Sequence, residues 1–310
     1  MKKYISTAIA FTGLIFSCQA QLTTQEKLGY PATAKLLIIH ADDLGVSHSE
    51  NQATIQAMEK GSVNSASIMV PCPWFSEIAT YATTHPQADF GLHLTLTSEW
   101  KYYKWAGLTG ATTAPGLHNK FGFLFASVDS VYRAARLQEV ENELRAQIDK
   151  ALAAGIDVTH FDSHMAALFG RHDYLKLLIS LGREYRVPVL LTKDGPRSPM
   201  DTEIKAFLTD KDVQLDQIYT ATPADYKNGM KQFYEKVLRS LQPGISELII
   251  HTAYDDKEMQ AVTVDHPDWG AAWRQADLNF FTSAECRKIL AEQNIKLVTW
   301  RELRDKIVRK

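Results

Sequence analysis

The sequence predicts a single-domain α/β protein, a distorted TIM-like (β/α) barrel, on three observations. Eight short apolar or β-branched runs follow one another along the chain. Most are separated by stretches of helical periodicity, the alternation expected of parallel βαβ units. From about residue 35 onward the length fits the roughly 250 residues such a barrel needs, and no linker divides the 310 residues into two bodies.

Ahead of the first run, residues 1–20 have the charged, apolar and small-residue regions of an export signal: Met1-Lys2-Lys3, an apolar stretch from about Ala8 to Phe16, then Ser17-Cys18-Gln19-Ala20. Cys18 is a candidate for lipidation and Ala20 for ordinary cleavage, so export leads to a periplasmic protein or a membrane-anchored lipoprotein. The apolar stretch falls short of the roughly 20 residues that span a bilayer. Residues 21–34 read as a short linker and 35–310 as the barrel.

Within the barrel, strands are expected at about 35–40, 64–70, 89–95, 157–162, 187–192, 216–221, 247–252 and 296–300. Helices are expected at about 49–60, 74–84, 130–154, 171–185, 202–209, 224–241 and 282–293. In the longest, Val131, Ala135, Val140, Leu144, Ile148 and Leu152 recur at helical spacing, and the charged residues between them, Glu139 and Glu143 included, read as a solvated face. Two segments break the alternation, from about Thr97 to Phe125 and from about Ala253 to Asn279. Long irregular loops in a compact domain are often functional, so both read as walls of a cleft.

Chemistry sits where the strands end. Leu36-Leu37-Ile38-Ile39 runs into His40-Ala41-Asp42-Asp43, Phe90-Gly91-Leu92 into His93, and Val158-Thr159 into His160-Phe161-Asp162-Ser163-His164. Polar residues at the carboxyl ends of buried strands face the crevice where α/β folds place their sites. Asp43, His93 and His164 would then converge as one carboxylate and two imidazoles, a set that holds a divalent metal and leaves room for water or substrate. Zn²⁺ and Mg²⁺ suit it best, with Co²⁺ or Ni²⁺ as alternatives. Asp42, beside Asp43, reads as the base. His251, after Leu248-Ile249-Ile250, reads as the general acid, because imidazole titrates near neutral pH. By alternation His160, Asp162 and His164 share a face, so His160 or Asp162 would orient a ligand imidazole. Trp269 and Arg274, in the second long loop, are candidates for substrate contact.

The succession Ala-Asp-Asp-Leu-Gly, Gly-Leu-His-Leu-Thr-Leu and Thr-His-Phe-Asp-Ser-His resembles the YdjC/ChbG family of carbohydrate deacetylases, from about residue 35 to about residue 300. The resemblance implies Asp43, His93 and His164 as metal ligands, Asp42 as catalytic base, a histidine on a late strand, and an N-acetylated sugar as substrate. Two positions depart from the family pattern: His40 stands where many members carry Asn, and Met165-Ala166 where several carry further histidines.

Other classes are disfavoured. A net charge of −2 with no basic run makes nucleic acid a poor partner. No Gly-x-Ser-x-Gly elbow marks a serine hydrolase, and no glycine-rich phosphate loop is present. Cys72 and Cys286 remain after the leader and read as separate buried thiols rather than a disulfide. The rivals to metal-dependent deacetylation are a carboxylate-pair glycoside hydrolase and a non-catalytic glycan-binding lipoprotein.

Overall fold

The computed structural model describes residues 22–193 and 202–310, so the expected leader with Cys18 lies outside the described residues. Among the described residues seven parallel strands form one sheet: β1 Lys35–Leu44, β2 Ser65–Ile68, β3 Phe90–Leu94, β4 Phe161–Ser163, β5 Gln217–Thr220, β6 Gly244–Ile250 and β7 Ile295–Leu297. Their order is β4-β3-β2-β1-β6-β5, and β7 pairs with the start of β1.

The ring closes differently from the eight-stranded expectation. Residues 187–192 make no regular ladder: Val189 bridges Phe161 and Thr192 bridges Leu215 as isolated pairs. Pro188, which has no N–H to give, accepts from Phe161 N–H at 3.0 Å, and Leu191 accepts from Leu215 N–H at 2.8 Å. This irregular segment joins β4 to the chain entering β5, and it is where the barrel is distorted. The eighth run is also displaced. β7 lies on the same edge of β1 as β2, with Val298 N–H donating to Leu37 C=O at 3.1 Å, and so takes no place of its own in the ring.

Alternation along β1 separates two cores. Leu37, Ile39 and Ala41 join the large layer under the helices, while Leu36 and Ile38 join a smaller cluster with Leu190, Leu215, Ile245, Val298, Trp300 and Leu303. The smaller cluster fills the barrel, and the short helix Trp300–Leu303 closes its amino end. Asp89 receives the backbone N–H groups of Trp300 and Arg301 there at 2.9 and 3.0 Å. His40 continues the inward face of β1. The pairing then slips: Ala41 faces Ala66, but Leu44 faces Ile68. One extra residue is therefore accommodated in β1 as a bulge, with Asp43 in the left-handed region at φ 70°.

The helices mostly follow their predicted spans, including His48–Lys60, Phe75–Thr84 and His172–Tyr185. The long helix expected at 130–154 is two, Val128–Ala134 and Leu137–Ala153, because Ala135 is extended. Its face is not wholly solvated either. Glu143 is fully buried and receives Leu108 N–H, Thr109 N–H and the Thr109 hydroxyl, while Glu139 receives Gly116 N–H. These carboxylates pin the 97–125 loop to the helix, satisfying backbone donors that no ladder reaches. The second loop contains helices Lys257–Val262 and Ala271–Phe281. The loops meet through an ion pair between Lys101 and Asp265 and an edge contact of Trp100 on His266, with ring centroids 4.9 Å apart. Cys72 and Cys286 are free and buried. Among the described residues no helix is long and apolar enough to cross a membrane.

Candidate active site

Asp43, His93 and His164 converge at the carboxyl end of β1, β3 and β4. Asp43 Oδ1 lies 3.4 Å from His93 Nε2 and 3.2 Å from His164 Nδ1. All three residues are buried, and Asp43 Oδ1 has no hydrogen-bond partner. A buried, ionised oxygen left bare is costly, and two imidazole nitrogens beside it complete a donor set compatible with a divalent cation. The bulge makes this possible. It brings Asp42 and Asp43, neighbours that would otherwise alternate, to the same crevice, with Asp42 Oδ2 3.8 Å from His93 Nε2.

Each imidazole is oriented by a carboxylate. His93 and Asp162 are partners in the β3–β4 register, and His93 Nδ1 meets Asp162 Oδ1 at 2.7 Å. His164 Nε2 meets Glu99 Oε2 at 2.9 Å, which leaves Nδ1 toward Asp43. The turn that presents His164 is tight, with Met165 and Ala166 both at φ 53°. Burial alone would lower His164, but Glu99 and Asp43 raise it to about 10. Burial would raise Asp43, yet Arg274, His164 and His251 hold its carboxyl well below the usual range.

Arg274 is neither on the surface nor open to substrate. It is buried, donating to Asp43 Oδ2 at 2.8 Å, to Glu50 Oε1, and to the Trp269 carbonyl at 2.7 Å. Trp269 stacks on buried Trp273, centroids 4.9 Å apart, so its ring packs the loop instead of standing free. Trp100 and Trp105 are likewise buried.

His251 enters from β6, with Nε2 4.0 Å from Asp42 Oδ2 and 3.9 Å from Asp43 Oδ2. Its backbone N–H is held by Asp277, which also accepts from the Tyr234 hydroxyl at 2.6 Å. Burial lowers His251 to about 4, so the acid expected to titrate near neutrality is a neutral imidazole at rest. His160 is one layer deeper, stacked on Trp300 with centroids 5.0 Å apart. It is 3.8 Å from Asp162 Oδ2, so of the two expected orienting partners Asp162 is the one hydrogen-bonded to a candidate ligand imidazole.

The family model for YdjC-like proteins matches residues 36–292. The chain belongs to the YdjC-like family. Two relatives named carbohydrate deacetylase share 32% identity with this YdjC-like chain (Thermus thermophilus; 90% of this chain, 97% of the relative) and 30% (Brevibacillus brevis; 86% and 99%). A crystal structure from Enterococcus faecalis, titled as a cellobiose-phosphate cleavage protein, superposes with a TM-score of 0.72 at 24% identity, covering 87% of this chain and 99% of that one. That likeness speaks for the fold of the YdjC-like chain alone.

Two residues of the site escaped the sequence reading. Glu50 follows Ser47 at the spacing of a helix cap, and Ser47 Oγ does accept its N–H at 3.0 Å. The same Glu50 carboxylate nonetheless reaches into the site through Arg274. Glu99 sits in an irregular loop with no periodicity to give it away.

Proposed function

We propose that this protein is a metal-dependent carbohydrate deacetylase that hydrolyses the acetamide of an N-acetylated sugar or oligosaccharide to acetate and the free amine. The observation that carries the reading is the buried convergence of Asp43, His93 and His164 on an unpartnered carboxylate oxygen. Membership of the YdjC-like family and relatives named carbohydrate deacetylase support the substrate class.

Asp43 Oδ1, His93 Nε2 and His164 Nδ1 would hold one divalent ion, Zn²⁺ or Mg²⁺, with Co²⁺ or Ni²⁺ as substitutes. When bound, it would polarise the acetyl carbonyl and acidify a water in the site. Asp162 and Glu99 turn His93 Nε2 and His164 Nδ1 toward that position, and the ion would bind in exchange for the proton that His164 carries without it. Asp42 Oδ2 takes the proton of the attacking water. His251, neutral and 4.0 Å from Asp42 Oδ2, relays that proton to the departing nitrogen, so the cycle closes with no net proton held by the protein. We also propose, from the leader read in residues 1–20, that the mature enzyme acts outside the cytoplasm; the mass of its amino terminus tells a lipidated Cys18 from cleavage after Ala20.

The test is metal content by elemental mass spectrometry, together with acetate release from a panel of N-acetylated sugars. The protein purified without chelators should carry one divalent ion per chain. Asp42→Asn should keep the ion and lose roughly 10²–10⁴-fold in rate, whereas Asp43→Asn should lose both. Full acetate release by metal-free Asp43→Asn protein would overturn the mechanism, and release of reducing ends without acetate would favour a glycoside hydrolase.

A further inference from the structure

Beneath the crevice, on the inward face of β1, His40 is completely buried, and Ser65, Ser67, Asp42 and Asp162 surround its ring. Nδ1 lies 2.9 Å from the hydroxyl of Ser65, its register partner on β2. Nε2 lies 3.0 Å from Asp42 Oδ1, 3.2 Å from Asp162 Oδ2 and 3.0 Å from Ser67 Oγ. An ionised carboxylate only accepts. A bare ring nitrogen this close to two of them in a buried site would be repelled by both, so Nε2 carries a hydrogen. Ser67 Oγ accepts it and the Ser67 hydroxyl donates on to Asp42 Oδ1 at 3.4 Å, while Asp162 Oδ2, with no hydrogen-bond partner, faces the ring through charge alone. The charges agree: burial would lower His40, but Glu247, Asp162 and Asp42 keep it well above its ordinary value.

We propose that His40 is a positioning residue for the base: its ring, beside Asp42 Oδ1 and bonded to the Ser67 hydroxyl that donates to that oxygen, fixes Asp42 Oδ1, aims Asp42 Oδ2 at the crevice, and couples the base by charge to the carboxylate that orients His93. The assignment rests on the deacetylase reading above for its catalytic consequence, but its geometry does not depend on it. His40 Nε2 stands between Asp42 Oδ1 and Asp162 Oδ2 as a charge contact, and Asp162 Oδ1 is hydrogen-bonded at 2.7 Å to His93 Nδ1. Asp162 therefore divides its two oxygens between a candidate ligand and the residue that holds the base. Loss of His40 frees Asp42 to rotate about its terminal torsion, and removes the ring that faces Asp162 Oδ2, a buried oxygen that has no hydrogen-bond donor to fall back on. His160 cannot replace it, because its Nε2 has no hydrogen-bond partner and its face is fixed against Trp300.

A double-mutant cycle tests this. His40→Asn should lower kcat roughly 10–100-fold, the loss usual for a partner that orients a site residue, with KM unchanged and the cation retained. In an Asp42→Asn background the same substitution should cost nothing further, because the group it positions has gone. Equal losses in both backgrounds would overturn the proposal. So would two cations per wild-type chain with one lost in His40→Asn, since His40, His160 and Asp162 would then be ligands of a second ion. A measurement free of activity accompanies the cycle. Hydrogen–nitrogen NMR of the metal-free wild-type protein should show a slowly exchanging His40 Nε2–H that shifts in Asp42→Asn, and a His40 Nε2 without its hydrogen overturns the assignment. A wild-type enzyme that releases no acetate would instead sink the functional reading while leaving this signal in place.

Discussion

Arg274 shows how one side chain governs the charge balance of the crevice. Its guanidinium satisfies Asp43 Oδ2 and Glu50 Oε1 together, deep enough that neither carboxylate has water to fall back on. Removing one member of a buried ion pair typically costs about 3–5 kcal/mol, because the other is left uncompensated. Arg274→Met should therefore destabilise the metal-free protein by about that amount in denaturant unfolding, and adding the divalent ion should recover part of the loss by giving Asp43 a new partner. An unchanged midpoint would mean that Glu50 and Asp43 neutralise themselves with protons at little cost. Neither this role nor that of Glu99 was legible in the sequence. Arg274 lies 231 positions from Asp43, and nothing in a residue's neighbours along the chain records a contact made across the fold. The three candidate ligands were legible because each ends an apolar run, so local pattern and final position coincide.

At the level of elements, the strand ends were readable and the packing between strands was not. Gly91 on β3 is an example. A Cβ there would lie 2.3 to 2.5 Å from the His160 ring atoms, so β3 and β4 approach this closely only because residue 91 has no side chain. His160 has no room to retreat, with Trp300 stacked on its other face. Gly91→Ala should cost about 1–3 kcal/mol, the usual penalty for overpacking, and it should weaken metal binding by disturbing the adjacent His93–Asp162 pair; thermal unfolding and metal titration check the two effects separately. The irregular segment at 187–193 was hidden for a related reason. Val187, Val189, Leu190 and Leu191 read as a buried strand, and they are buried, but Pro188 and the spacing to β4 and Leu215 permit only isolated pairs. Hydrophobicity predicted the burial without predicting the ladder.

Over the whole molecule, the carboxyl-terminal segment is tied back to the barrel it closes. Asp157, just before β4, accepts from Arg304 at 2.6 and 3.1 Å and also pairs with Arg301. Burial would raise Asp157, but Arg304 and Arg301 lower it below its ordinary value. A carboxyl lowered by folding stabilises the native state at pH values above its unfolded pKa of about 3.9, and that contribution is lost as the pH falls through the folded value. Asp157→Asn should therefore lower the thermal midpoint at neutral pH. The difference from wild type should shrink as the pH falls below about 4. A gap that persists to pH 2 would mean the arginines act through packing and not through charge. With its side chain 46% exposed, Asp157 feels solvent screening, so salt should narrow the same gap.

A strand keeps time in twos, and β1 drops a beat at Asp42–Asp43. Upstream of that point odd and even residues hold their assigned sides; downstream the parity is exchanged, which is how two consecutive acids serve one crevice. Shortening the chain by one residue here would restore the rhythm, and with it would turn Leu44 and everything after it the wrong way, whatever carboxylate remained. Replacement is cleaner than removal, and the choice of replacement matters. Asn tolerates the left-handed backbone at position 43 and takes away only the charge, whereas a β-branched residue would oppose the conformation before its missing chemistry could be measured.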